Sequence, residues 1–388
     1  MPPATEYARA VVDRGALAKL IPSLESRGYQ VVGPVLRDGA IVYDTLKSLD
    51  DLPAGWTEEQ QPGQYRLRKR EDGALFGYTV GPQSWKKFFH PPEVRLFQVQ
   101  RNNGTFHILE EAGPPPRYAL LGVRACELAA IEAQDRVLAQ GRFADAVYRA
   151  RRQQAFIVAV NCTQAAPTCF CASMHTGPRT ASGFDLALTE ILENGASHFV
   201  VDAGSDRGAE ILRQIGSHPA SPEICRKAEE AIARAAQQSR GIDINGLHDQ
   251  LAESFDHPRW DDIARRCLTC GNCTLVCPTC FCTTVEDTSD VAGQHAERWR
   301  KWDSCFTQTF SYIHGGSVRQ SAKSRYRQWM MHKLAFWTDQ FGGSGCVGCG
   351  RCITWCPAAI DITEEARAIR EPIPVSTTQS REKDDGNT

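Results

Sequence analysis

Apolar positions follow two rhythms along this chain. Unbroken runs, YALLGV at 118–123 and AFIVAV at 155–160, read as strands buried on both faces, where alternation is no longer required. Gln30–Val35 and HFVVDA at 198–203 read as strands too. Between them, Arg14–Leu24 and the stretch from about Glu127 to Leu138 show helical spacing, and Leu186–Glu193 is likewise read as a helix. Residues 61–120 look strand-rich, with Gly and Pro punctuation through TVGPQSWKKFFHPP, VRLFQVQR and FHILEE. Strands alternating with helices predict a mixed α/β domain over residues 1–220.

The rhythm changes at Pro222. CRKAEEAIARAAQQ is a strong helix by propensity, and LHDQLAESF is another. From there to about Glu365 the chain reads as helical between cysteine motifs. The predicted class is therefore α+β: the mixed α/β domain, then an α-helical ferredoxin-like domain over 221–370 that holds two clusters. Residues 371–388 are rich in Pro, Ser and charge, which predicts a disordered tail. One internal echo stands out: PTCFC occurs at 167–171 and again at 278–282.

Charge adds little. The net charge of −2 gives no field that points to nucleic acid or to an anionic membrane surface. No apolar run is long enough to span a bilayer, and MPPATEYARA lacks a signal core, so the expected location is the cytoplasm. The sixteen cysteines change the picture. In a reducing compartment they are better read as metal ligands than as disulfides.

The strongest signal is Cys267-x2-Cys270-x2-Cys273-x3-Cys277-Pro278, repeated at Cys346, Cys349, Cys352, Cys356 and Pro357. This is the C-x2-C-x2-C-x3-C-P spacing of bacterial ferredoxins, in which the fourth cysteine serves the other cluster. The crossed pattern assigns Cys267, Cys270, Cys273 and Cys356 to cluster 1, and Cys346, Cys349, Cys352 and Cys277 to cluster 2. Each proline suits a first helical turn. A structural zinc site more often uses two separated CxxC pairs.

Cys126 and Cys162 each follow a predicted strand, so one sheet edge could deliver both. With Cys169 and Cys171 from the adjoining loop they make a candidate third cluster site, the alternatives being a zinc ion or four inert thiols. Cys280, Cys282 and Cys305 fall one short of a set. They either pack around cluster 1 or bind a further metal with another ligand, for which Asp303 is the nearby carboxylate. Cys225 reads as structural. The insertion between the two motifs carries SVRQSAKSRYRQWMMHKLAFW. It is either a docking face or a helix that packs Trp329, Met330, Leu334 and Trp337 inward and leaves its Arg and Lys solvated. His175 and Arg179, in SMHTGPR, lie near the third set or simply in a loop. FGGSG at 341–345 reads as a turn. No catalytic residues are predicted: a Gly-rich phosphate loop, G-x-S-x-G and H-E-x-x-H are all missing from the sequence.

LGVRACELAAI, VNCTQAAPTCFCASMHTGPRTASGFDLALTE, CLTCGNCTLVCPTCFC, WDSCFTQTFSYIHGGSVR and CVGCGRCITWCPAAIDI together resemble the beta, iron–sulfur subunit of soluble NAD(P)-linked [NiFe] sulfhydrogenases. They are similarly close to the iron–sulfur electron-transfer subunit of anaerobic sulfite reductase. The resemblance covers about residues 65–365 and implies a non-catalytic electron-transfer subunit of a multisubunit oxidoreductase with [4Fe–4S] clusters. Its implied partners are a flavin subunit that exchanges hydride with NAD(P)H, and the small and large [NiFe] hydrogenase subunits or a siroheme subunit. The twelve cysteines of the three sets are the implied ligands. His175 departs from the pattern, which has Gly there. A protein with a purely structural cluster is the contrasting reading.

Overall fold

The computed structural model describes residues 9–109, 114–193 and 195–371. The tail expected over 371–388, beyond Glu371, and the last two residues of FHILEE lie outside the described residues.

Eight strands form one mixed sheet in the order His218–Pro219, Ala10–Asp13, Ala196–Ala203, Leu186–Glu193, Phe156–Val160, Tyr118–Val123, Gln30–Arg37, Ala40–Thr45. The strands beginning at 186, 156, 118 and 30 run parallel, and the flanking pairs are antiparallel. Leu121, Val158 and Val160 pack on one face with Leu17, Leu20 and Ile211. Leu120, Val123 and Ile157 pack on the other with Trp85, Leu128 and Tyr148. Covering both faces explains why these strands read as continuous apolar runs.

Leu186–Glu193 is a strand, not the expected helix. Its buried residues occupy both faces of the sheet, so period-2 alternation is absent and sequence spacing alone mimics a helix. Hydrogen bonding to strands on both sides decides the matter.

The second half holds the helices Pro222–Ala235, Leu247–Glu253, Arg259–Arg266 and Ala322–Met331. Ser221 caps the first by accepting from Ile224 N–H, with Pro222 in the first turn. The segment between the cysteine motifs is not helical throughout. Thr283–Ser289 and His295–Trp302 form a hairpin that joins Glu93–Asn102 and Thr105–Leu109 in an antiparallel sheet of four. Strands from both halves of the chain thus share one sheet. Trp329, Met330, Leu334 and Trp337 are buried. Arg325 and Lys333, expected in solvent, are buried with them. The buried Arg325 donates to the carbonyls of Arg319, Gln320 and Phe306.

Candidate iron–sulfur centres

Each ferredoxin-type motif wraps its first three cysteines in a loop with two residues at positive φ. These are Thr269 (51°) and Gly271 (76°) in the first, Gly348 (64°) and Gly350 (76°) in the second. A β-branched residue such as Thr269 seldom adopts this conformation. The turn aims amide groups at sulfur: Thr269 N–H donates to Cys267 Sγ at 3.4 Å. A four-residue helix, Asn272–Leu275 or Arg351–Thr354, then carries the chain towards the fourth cysteine. The helical turn expected at the prolines lies one step earlier, before the fourth cysteine, and each proline opens a non-helical turn.

The chain crosses between motifs. Cys267, Cys270 and Cys273 line one cavity together with Cys356, walled by Phe306, Tyr326 and Trp329. Burial first, then the nearby charges of Cys267, Cys356 and Cys270, raises the Cys273 thiol far above its ordinary value. In the second set, burial followed by Cys346, Cys349 and Cys277 does the same to Cys352. Cys346 is pushed up to about 12, chiefly by burial. Such thiols ionise only when a cation takes the charge, which soft iron bound by thiolate provides.

The third set forms where two neighbouring parallel strands end. Tyr118–Val123 runs into the helix Ala125–Gln134, whose first turn holds Cys126. Phe156–Val160 ends just before Cys162. The carboxyl ends of parallel strands are the usual place for a ligand site in such sheets. Cys169 and Cys171 come from the loop that follows. Cys126 feels burial and then Cys171 and Cys349; Cys169 feels burial and then Cys171 and Cys162. Cys171 is raised to about 11 by burial, against a hydrogen bond of 3.2 Å from Gln238 Nε2 to its sulfur. Arg124 is buried beside Cys162, where its guanidinium opposes the upward shift that burial gives the thiol.

The third and second sets touch. Phe170 N–H donates to Gly348 O at 2.8 Å, and Cys126, Cys171, Val347 and Cys349 share one buried cluster. Beneath it, Arg351 and Glu127 form an ion pair 0% and 1% exposed. Glu127 also accepts from Tyr43 Oη and Trp85 Nε1, each at 2.9 Å.

Cys280, Cys282 and Cys305 lie close to Cys277 and line a cavity of about 330 Å³ with His332 and Lys333. Asp303 is not part of that lining; its carboxylate accepts from Ser304 N–H at 2.7 Å. Cys225 lies half-buried within the helix Pro222–Ala235, away from all these sets. His175 is exposed with φ 56°, a conformation that favours glycine, and Arg179 pairs with Glu229. Among the described residues, no three His, Cys, Asp or Glu close in as ligands of a single metal ion do.

Sequence reasoning missed the buried cations. Lys86 and Lys333 are 4% and 2% exposed. Lys86 Nζ donates to the carbonyls of Cys277 and Cys280 at 3.2 and 3.1 Å, and Lys333 Nζ to Thr279 Oγ1 at 2.7 Å. The one hint for Lys86 is its apolar setting, WKKFF.

Residues 266–360 match the family model described as a 4Fe-4S dicluster domain, a span that includes all eight motif cysteines. The chain is 32% identical to sulfhydrogenase 2 subunit beta of Pyrococcus furiosus over 346 residues, 88% of this chain and 92% of the relative. The chain belongs to the sulfhydrogenase beta-subunit family. Membership makes it similar to one subunit of an oxidoreductase, and the dicluster match supports [4Fe–4S] clusters on this chain. The similarity extends well beyond the dicluster region, so the sheet that carries Cys126 and Cys162 is part of the shared architecture. No solved structure matches. Among the described residues, no helix is long and apolar enough to cross a membrane.

Proposed function

We propose that this chain is the electron-relay subunit of a cytoplasmic, NAD(P)-linked [NiFe] hydrogenase, with three [4Fe–4S] clusters in series. Cys126, Cys162, Cys169 and Cys171 would hold one; Cys346, Cys349, Cys352 and Cys277 the next; Cys267, Cys270, Cys273 and Cys356 the last. The observation that carries this reading is contiguity. Cys349 packs against Cys126 and Cys171, and Cys352 lines the same cavity as Cys273. No residue outside these sets separates one from the next. The last set reaches the surface: Cys270 is exposed, flanked by Leu268 (65%) and Leu275 (45%). An apolar rim around an exposed thiolate suits a partner that takes or gives one electron at a time.

The chain's own part is to hold the thiolates, exclude water from the two inner sites and place cations near them. A flavin subunit fits upstream because flavin splits a hydride's two electrons into single ones. Hydrogenase small and large subunits fit downstream, in keeping with the relative's name.

The test uses the complete complex with its cognate subunits. We expect Cys349→Ser to lower H2-dependent NAD(P)+ reduction at least tenfold, while H2-dependent dye reduction at the hydrogenase subunits stays unchanged. Unchanged NAD(P)+ reduction would overturn the relay. A purified complex that oxidises NAD(P)H with sulfite, and not with protons, would favour the sulfite reductase reading instead.

A further inference from the structure

The two copies of PTCFC fold alike. Each begins with a turn at Pro-Thr and continues as extended Cys-Phe-Cys. Thr168 and Thr279 are both 0% exposed, and Cys169 and Cys280 are both 8% exposed. Both turns hold the same loop of the second ferredoxin-type motif. Phe170 N–H donates to Gly348 O at 2.8 Å, and Thr279 Oγ1 donates to Gly345 O at 2.7 Å. The first copy delivers Cys169 and Cys171 to the third thiol set. The second copy places Cys280 and Cys282 in equivalent surroundings on another flank of that loop.

Cys305 arrives there from the far end of the hairpin 283–302, whose base is closed by Asp303 N–H donating to Cys282 O at 2.9 Å. Three thiols so gathered line one cavity of about 330 Å³, roughly ten times the share of one water in the liquid. His332 lines it as well, its ring 5.0 Å from Trp337 and 6.3 Å from Phe281. Three thiolates and an imidazole are a complete donor set for iron.

The charges agree. The Lys86 and Lys333 ammonium groups donate to carbonyl and hydroxyl oxygens, not to carboxylates. Two buried cations on either side of Cys280 call for negative charge nearby. Cluster 2 supplies part of it through Cys277, but Lys86 also bonds the backbone of Cys280 itself.

We propose that Cys280, Cys282 and Cys305, with His332 as fourth donor, hold a fourth iron–sulfur cluster beside cluster 2. This rests on reading the other thiol sets as cluster sites, but its test is a difference that does not depend on how many of those are filled. Metal and acid-labile sulfide are counted in the full chain, purified anaerobically, and in a Cys282→Ala/Cys305→Ala variant. The variant is expected to lose about four irons and four sulfides and to keep the remainder. Equal iron in both proteins, or a loss of zinc in place of iron, overturns the proposal. A wild-type total near eight with the same loss in the variant would sink the third site and leave this one standing. Should the double variant lose every cluster through misfolding, His332→Ala decides. A change confined to one cluster's EPR or Mössbauer signature is expected, and unchanged spectra overturn the assignment.

Discussion

His90 is 1% exposed and stacks on Trp302 at 6.3 Å, with neither ring nitrogen hydrogen-bonded among the described residues. Burial, then repulsion by Arg300, lowers its pKa to about 4. The folded state therefore prefers the neutral ring. Its contribution to stability is complete above the unfolded pKa of 6.5 and is lost as pH falls from there towards 4. By pH 5.5 the loss is about 1 kcal/mol. His90→Phe keeps the stacking and removes the titration. Denaturant unfolding of both proteins between pH 7 and pH 5.5 should show the wild type losing about 1 kcal/mol more than the variant. Parallel losses would mean that His90 is hydrated or partnered in solution. At this scale the cysteines were legible and the lysines were not. A thiol's role is written in spacing, because four sulfurs must reach one small body from a short loop. A lysine's letter says nothing about burial, and only the fold reveals that Lys86 and Lys333 point inward. His175 is intermediate: its departure from glycine was visible, and its positive φ gives the reason that glycine belongs there.

At the scale of elements, the two cysteine-bearing loops of the third and second sets are pressed together at glycines. A Cβ on Gly350 would stand 2.3 Å from Thr168 O, and one on Gly348 would stand 2.6 Å from Cys171 N. Both glycines also hold positive φ, so alanine is penalised twice. Gly350→Ala should cost about 1–3 kcal/mol and weaken the seating of the Thr168–Cys171 loop. The measurements are the thermal midpoint and the iron content of the anaerobic protein. A lower midpoint with iron lost from the third set is expected; no change in either would show that the loops do not meet at Gly350. The strands that deliver Cys126 and Cys162 could be read from the sequence because they are buried on both faces and rich in apolar residues. Leu186–Glu193 could not, since its spacing fits a helix equally well and long-range pairing chooses the strand. The hairpin 283–302 was hidden for a similar reason. Its partner strand, Glu93–Asn102, lies almost two hundred residues away in sequence, and its half-buried, charged face leaves no periodic apolar signal.

For the molecule as a whole, the question is what fixes the distance between the N-terminal sheet and the dicluster region, because a relay fails if its centres drift apart. Arg351, between Cys349 and Cys352, reaches Glu127, next to Cys126, and also donates to the carbonyls of Gly81 and Gln83 at 2.8 and 2.9 Å. This ion pair spans both halves at the point where two proposed centres meet. Removing one partner of a buried pair leaves an uncompensated charge and costs about 3–5 kcal/mol, whereas removing both charges costs much less. Arg351→Met should therefore destabilise the chain by about 3–5 kcal/mol. Adding Glu127→Gln neutralises the stranded carboxylate and keeps an acceptor for Tyr43 and Trp85. The double variant should recover a large part of the loss. Denaturant unfolding of the wild type, both single variants and the double variant gives the coupling energy directly. A coupling below about 0.5 kcal/mol would mean that the two halves are held by other contacts. A large coupling, together with slowed electron transfer in Arg351→Met at full iron content, would identify this pair as the strut that sets the spacing of the relay.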